Sequence, residues 1–145
     1  EFEGVVDASL KSTFLMSRAL VPGMRTSGFG RIINMTSILS HVSLPGRTPY
    51  SSAKSALLGF TRAVALELAA EGVTVNGISP GPFGTEMNHA VMNDPQANAQ
   101  FLAALPVGRW GDVTEIGALA CFLCSDSAGF ITGTDVVIDG GWTAK

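Results

Sequence analysis

Charge is what this sequence has least of. Only 14% of its 145 residues are Asp, Glu, Lys or Arg, against about 25% in an average soluble domain. Nine basic and 12 acidic residues leave a net charge of −3 with no basic run, so the electrostatic footprint of a nucleic-acid binder is missing. Cysteine is scarce as well. Cys121 and Cys124 are the two present, too few for a secreted disulfide framework, which favours a cytoplasmic setting. Long apolar runs are lacking: Arg18, Lys54, Arg62, Glu67 and Glu71 interrupt the best candidates before they reach the ~18–20 residues of a membrane span. No membrane partner is expected. The 17 Gly and seven Pro follow no G-X-Y period, which excludes a collagen-like chain. The opening Glu1-Phe2-Glu3-Gly4 has neither an initiating Met nor a basic-then-apolar leader, and reads as an entry into the middle of something longer.

Apolar residues are plentiful, at 46%, and the mean hydropathy is +0.33. The excess must enter a core or surfaces that meet other protein. Along the chain, Val5, Val6, Leu10, Phe14, Leu15, Ala19 and Leu20 recur at helical spacing, predicting a helix over 2–22 that continues to Met24 before Thr26-Ser27-Gly28 breaks it. Arg31 to Met35 reads as a short buried strand, 37–48 as a loop, and Pro49 to Ala70 as a long helix with Pro in its first turn and Gly72 at its close. Val73 to Ile78 forms a second strand, followed by a Ser79–Gly84 loop and a polar helical excursion over 88–104. Asp112 and Glu115 stand at capping-box spacing ahead of a helix over Val113–Cys124, and Asp135 to Ile138 is a last strand. Strands alternating with helices mean a single domain over 1–145 built on a parallel sheet with helices on its faces.

The helix that begins at Pro49 carries Tyr50-Ser51-Ser52-Ala53-Lys54. Positions i and i+4 share a helix face, so phenol and ammonium lie side by side, and a cation there favours the phenolate of a group whose pKa is ordinarily ~10. Tyr50 is the one tyrosine. Thirteen residues earlier Ser37 lies just past a strand, where a loop at the C-terminal edge of a sheet can aim a hydroxyl into a ligand crevice. Ser, then Tyr-x-x-x-Lys, resembles the short-chain dehydrogenase/reductase family. The resemblance continues in family order through Asn34-Met35-Thr36-Ser37, Val75-Asn76-Gly77-Ile78-Ser79-Pro80-Gly81, Thr85-Glu86-Met87, Arg109-Trp110-Gly111, Gly133 and Asp139-Gly140-Gly141, covering essentially the whole chain.

The resemblance implies a Rossmann-type doubly wound α/β sheet, here with about three parallel strands and without the N-terminal nucleotide-binding half. It implies Tyr50 as general acid or base toward a secondary alcohol or ketone, Lys54 as the partner that assists Tyr50 and bonds the nicotinamide ribose, and Ser37 as the group that polarises the substrate carbonyl. Pro80, Gly81 and Thr85 would meet the nicotinamide end of NAD or NADP. Loop stretches 82–87 and 108–111 look most like gluconate-type sugar dehydrogenases, then 3-oxoacyl carrier-protein reductases. Two departures stand out: the family's first-helix Asn is Ser9 here, and no Gly-rich dinucleotide fingerprint occurs.

Simpler readings compete at several positions. Ser37 and His41 could be a hydrolase pair, although no G-x-S-x-G elbow exists. Cys121 and Cys124 have CxxC spacing without further ligands, so they are expected as core thiols and no metal is expected. His89 is expected to be solvated, Asp139 to serve a structural turn, and Trp110 either to line the cleft or to pack behind it. The apolar helices 2–22 and 49–70 are expected to pair with their copies in a homodimer or homotetramer, the last strand giving a second contact. An alternative to an enzyme is a catalytically incompetent fragment that acts only as an oligomerising module.

Overall fold

A computed structural model describes residues 2–144. Its first helical run is longer and less regular than the apolar spacing implies. Helix α1 (Phe2–Val6) passes through a π-helical turn (Asp7–Lys11) into α2 (Ser12–Ser27). The hydroxyls of Ser12 and Thr13 donate to the carbonyls of Ala8 and Ser9 at 2.7 and 2.8 Å, supporting the widened turn with side-chain bonds. Pro22 does not end the helix, which continues past Met24 until Gly28, at φ 67°, closes it with its N–H on Arg25 and Met24 carbonyls.

Strand β1 (Gly30–Met35) leads through a 3-10 turn (Ile38–Ser40) into α3 (Thr48–Leu68), so the expected 37–48 loop is partly ordered by the Ser37–Ser40 capping box. Strand β2 (Val73–Pro80) is two residues longer than expected. Ser79 and Pro80 pair with Val137 and Ile138 of β3 (Asp135–Ile138), and Pro80, lacking an N–H, is the last residue of its strand. The three strands are parallel in the order β1-β2-β3.

Val73 and Val75 of β2 pack with Ala65 and Leu68 of α3, joined by Val21 and Met24 of α2 and Ile32 of β1. Thr74, Asn76 and Ile78 point the other way and are equally buried. Helix α6 (Val113–Cys124) contacts β1 and β2 and covers that second face. Leu57, Leu68, Ile78 and Leu123 are almost fully enclosed, each stabilising the fold by about 1.5–3 kcal/mol. The Asp112–Glu115 capping box forms as expected. The Arg109 guanidinium grips Glu115 at 2.9 and 2.8 Å, and with the Asp112 N–H it holds the Glu115 carboxyl at a pKa of about 2.

The 88–104 excursion resolves into α4 (His89–Met92) and α5 (Pro95–Ala103), the latter capped by Asp94 on the N–H groups of Gln96 and Ala97. One expectation is overturned. Cys121 and Cys124 are both exposed, not core thiols, because α6 is apolar nearly all round and buries only the Leu123 stripe. Among the described residues no helix is long and apolar enough to cross a membrane.

Candidate active site

The end of β1 and the start of α3 bring the predicted groups together at the C-terminal edge of the sheet. Ser37 is buried, and its hydroxyl accepts from the Leu39 N–H at 3.1 Å, which fixes it at the head of the 3-10 turn. Tyr50 stands in the first turn of α3 and is 38% exposed. Ser37, Tyr50, Pro80 and Gly81 line one open cleft of about 430 Å³. Lys54 sits a turn behind Tyr50, its Nζ 5.7 Å from the ring centre, and donates to the Met35 carbonyl at 2.6 Å. Partial burial lowers the Lys54 pKa below its ordinary value. Thr85 lies beyond the cleft lining, ahead of the 3-10 turn Glu86–Asn88, and its side chain makes no hydrogen bond among the described residues.

A network centred on buried Thr36 and Ser79 and reaching out to exposed His41 holds this edge from beneath, and the motif reading did not anticipate it. The Asp135 carboxylate accepts from the Thr36 hydroxyl at 2.6 Å, from His41 Nε2 at 2.7 Å and from the Ser79 hydroxyl at 2.6 Å. Carboxylate oxygens only accept, so the proton of this His41 contact is on Nε2. The one Ser79 hydroxyl proton is also within reach of the Ser37 carbonyl at 2.9 Å, so it is shared between two acceptors and links β2 and β3 to the backbone of Ser37. A side chain at Gly77 would run into the Asp135 carboxylate, so a glycine in mid-strand makes room for the charge. His41 Nε2 faces Asp135 and Ser79, and Ser79 is fully buried. The geometry is therefore not that of a Ser37–His41 hydrolase pair.

The other candidates sort out by contact. Trp110 packs behind the cleft: its ring stacks on Phe101 at 4.3 Å and 4° and its Nε1 donates to Asn98 at 2.8 Å, while Phe101 and Trp142 line the cleft itself. Asp139 serves a turn. Burial pushes its pKa up, but bonds from the Thr143 hydroxyl and from backbone N–H groups of Thr143, Gly141 and Trp142 outweigh it and leave the pKa lowered. His89 is exposed. Among the described residues no group of His, Cys, Asp and Glu could hold a metal ion.

Comparison with known proteins identifies relatives of the chain. Residues 1–143 match the family model described as Enoyl-(Acyl carrier protein) reductase. An acetoacetyl-CoA reductase of Shinella zoogloeoides is 43% identical over 141 residues, 97% of this chain and 58% of that protein. The 3-oxoacyl-(acyl-carrier-protein) reductase of Haemophilus influenzae is 37% identical over 141 residues, 97% of this chain and 57% of that protein. Among solved structures, a gluconate 5-dehydrogenase from Burkholderia cenocepacia in complex with NADP and tartrate superposes with a TM-score of 0.85 at 34% identity, covering 92% of this chain and 52% of that one. Both branches expected from the loop stretches are represented. The chain spans rather more than half the length of the curated relatives it matches.

Proposed function

The chain belongs to the short-chain dehydrogenase/reductase family, and from that premise we propose that its protein interconverts a secondary alcohol and a ketone with NAD or NADP, using Ser37, Tyr50 and Lys54. The observation that carries the reading is that Ser37 and Tyr50 face one cleft while Lys54 flanks Tyr50 on the same helix. In ketone reduction the Ser37 hydroxyl donates to the carbonyl oxygen and draws charge toward it. Tyr50 donates a second hydrogen bond and passes its proton to the oxygen as alkoxide character grows, or removes that proton in the reverse direction. Lys54 places a positive charge beside the phenol and stabilises negative charge on its oxygen.

The bound nicotinamide supplies or receives the hydride. The residues present suit it. Lys54 commits one of its three N–H donors to Met35, leaving two for ribose hydroxyls. Pro80 and Gly81 form a flat wall without side-chain donors, and the Thr85 hydroxyl is available to the carboxamide. The described residues would form the substrate-side part of a larger nucleotide-binding domain, with β1, which has β2 as its one neighbour among them, continuing the sheet. Exposed Phe14, Leu15, Met16 and Leu20 on α2, with Leu66 on α3 at 83%, support a homodimer or homotetramer through these helices. Two exposed unpaired thiols suit a reducing, cytoplasmic setting.

The test is Tyr50→Phe in the full-length protein. Turnover is expected to fall by about 10²–10⁴-fold with the fold intact, and undiminished turnover contradicts the assignment. The open edge of β1 favours a second reading, in which residues 1–145 by themselves only associate. Titration of this chain with NADH and NADPH separates the two: feeble binding is expected, and tight saturable binding removes the second reading.

A further inference from the structure

We propose that Arg47 makes the cleft selective for a substrate carrying a carboxylate, which the guanidinium pairs with while Ser37 and Tyr50 hold the reacting oxygen. The proposal rests on the redox reading of this cleft and narrows it to a substrate class. Around Ser37 and Tyr50 the lining is largely apolar, with Ile38, Leu39, Leu44, Met87, Phe101 and Trp142, and among the described residues Arg47 is its one charged side chain.

Arg47 is also a cation without a structural partner. Lys11, Arg25 and Arg109 pair with Asp7, Glu71 and Glu115, whereas Arg47, like Arg18 and Arg62 outside the cleft, makes no ion pair or side-chain hydrogen bond among the described residues. Nor does Arg47 serve the helix it precedes. It occupies the N-cap of α3, its side chain makes no capping bond, and the first turn holds no acidic residue. Ser, Thr, Asp or Asn is the stabilising choice at an N-cap, and the helix dipole disfavours a cation there. The residue therefore works against local stability, and its placement in the cleft gives it a use.

Register sets the scale. Arg47 precedes Tyr50 by three residues, about one helical turn or ~5 Å along the axis. A single guanidinium offers a bidentate fork to one carboxylate. The substrate class is thus a hydroxy or oxo acid whose carboxylate lies a few carbons from the reacting carbon, with an apolar or lightly substituted body against the Leu39–Leu44 wall.

The experiment is equilibrium binding by calorimetry to the full-length protein, which needs no turnover. The probes are malonate, succinate, glutarate and adipate, each beside its neutral dimethyl ester. The unmutated protein is expected to bind at least one dianion about tenfold or more tightly than its ester, the size of one charge-assisted hydrogen bond, and this preference should shrink as salt rises. Arg47→Met should erase the preference and leave ester binding in place, while Arg47→Lys should retain part of it. Equal binding of dianion and ester by the unmutated protein across the series, or an unchanged preference in Arg47→Met, overturns the proposal. Loss of the redox reading would be seen separately, as turnover that ignores Tyr50→Phe, and the binding preference would still be read.

Discussion

The two ends of the sheet are built on opposite plans. Beyond the C-terminal end of β1 and near that of β2, Thr36, Ser79 and His41 converge on the carboxylate of Asp135, which heads β3, and each of these donors finds an acceptor there. At the opposite end the strands enter from glycine turns, with Gly28 and Gly72 at φ 67° and 75°, and polar satisfaction is poorer. Arg31 Nε and Thr74 Oγ1 are buried there without a partner among the described residues, although Arg31 Nη1 donates to the Gly30 and Gly72 carbonyls and its guanidinium lies over the Phe29 ring at 4.3 Å. One end spends its side chains on fixing Ser37, while the other turns the backbone. This is the division expected of open parallel α/β sheets, in which ligands bind outside the carboxyl ends of the strands.

Substitutions can break this contrast. The largest effect is expected in the upper network. Asp135→Ala leaves the Thr36, Ser79 and His41 donors without their shared acceptor, which should cost about 2–4 kcal/mol and lower kcat by loosening the Ser37 turn. Gly77→Ala should be comparably harmful, since its Cβ meets the same carboxylate. In the double variant that clash is gone, so chemical denaturation should show the two effects to be strongly non-additive. Simple additivity would mean that Gly77 is not there to accommodate Asp135.

Gly72→Ala, at the other end, combines a left-handed backbone with a Cβ directed at the Gly28 carbonyl. A loss of about 1–3 kcal/mol in stability is expected, with KM and kcat of the full-length protein unchanged. A change in kcat would show that the two ends are coupled. The smallest effect belongs to Thr74→Val. Its hydroxyl is buried and unpartnered, so the swap should be neutral or stabilising by up to about 1 kcal/mol. A clear loss of stability would show that the hydroxyl has a partner, such as bridging water.

Tyr50, Lys54 and Ser37 were legible because helix periodicity and strand–loop–helix order are local properties, and local spacing was enough to place phenol and ammonium together. The α6 capping box was legible for the same reason. The Asp135 network joins residues up to 99 positions apart, and no local rule pairs them. Its only trace in the sequence is a pair of oddities, an acidic residue heading the apolar strand Asp135–Ile138 and a glycine inside β2. The cysteines were misplaced because a helix as apolar as α6 gives periodicity nothing to orient by. The first helix runs past its expected end at Met24 because the Thr26 and Ser27 hydroxyls bond back to the Pro22 and Met24 carbonyls inside the last turn, so that Gly28 alone makes the break.

The central claim is that Tyr50 protonates an oxygen whose carbon has received hydride in this cleft. The most direct measurement is isotope transfer: full-length protein, an oxo acid, and NADH or NADPH deuterated at the nicotinamide C4. The account predicts deuterium on the carbinol carbon of the product, at a rate that collapses in Tyr50→Phe. Product formed without the label, or labelled product made equally fast by Tyr50→Phe, would contradict it.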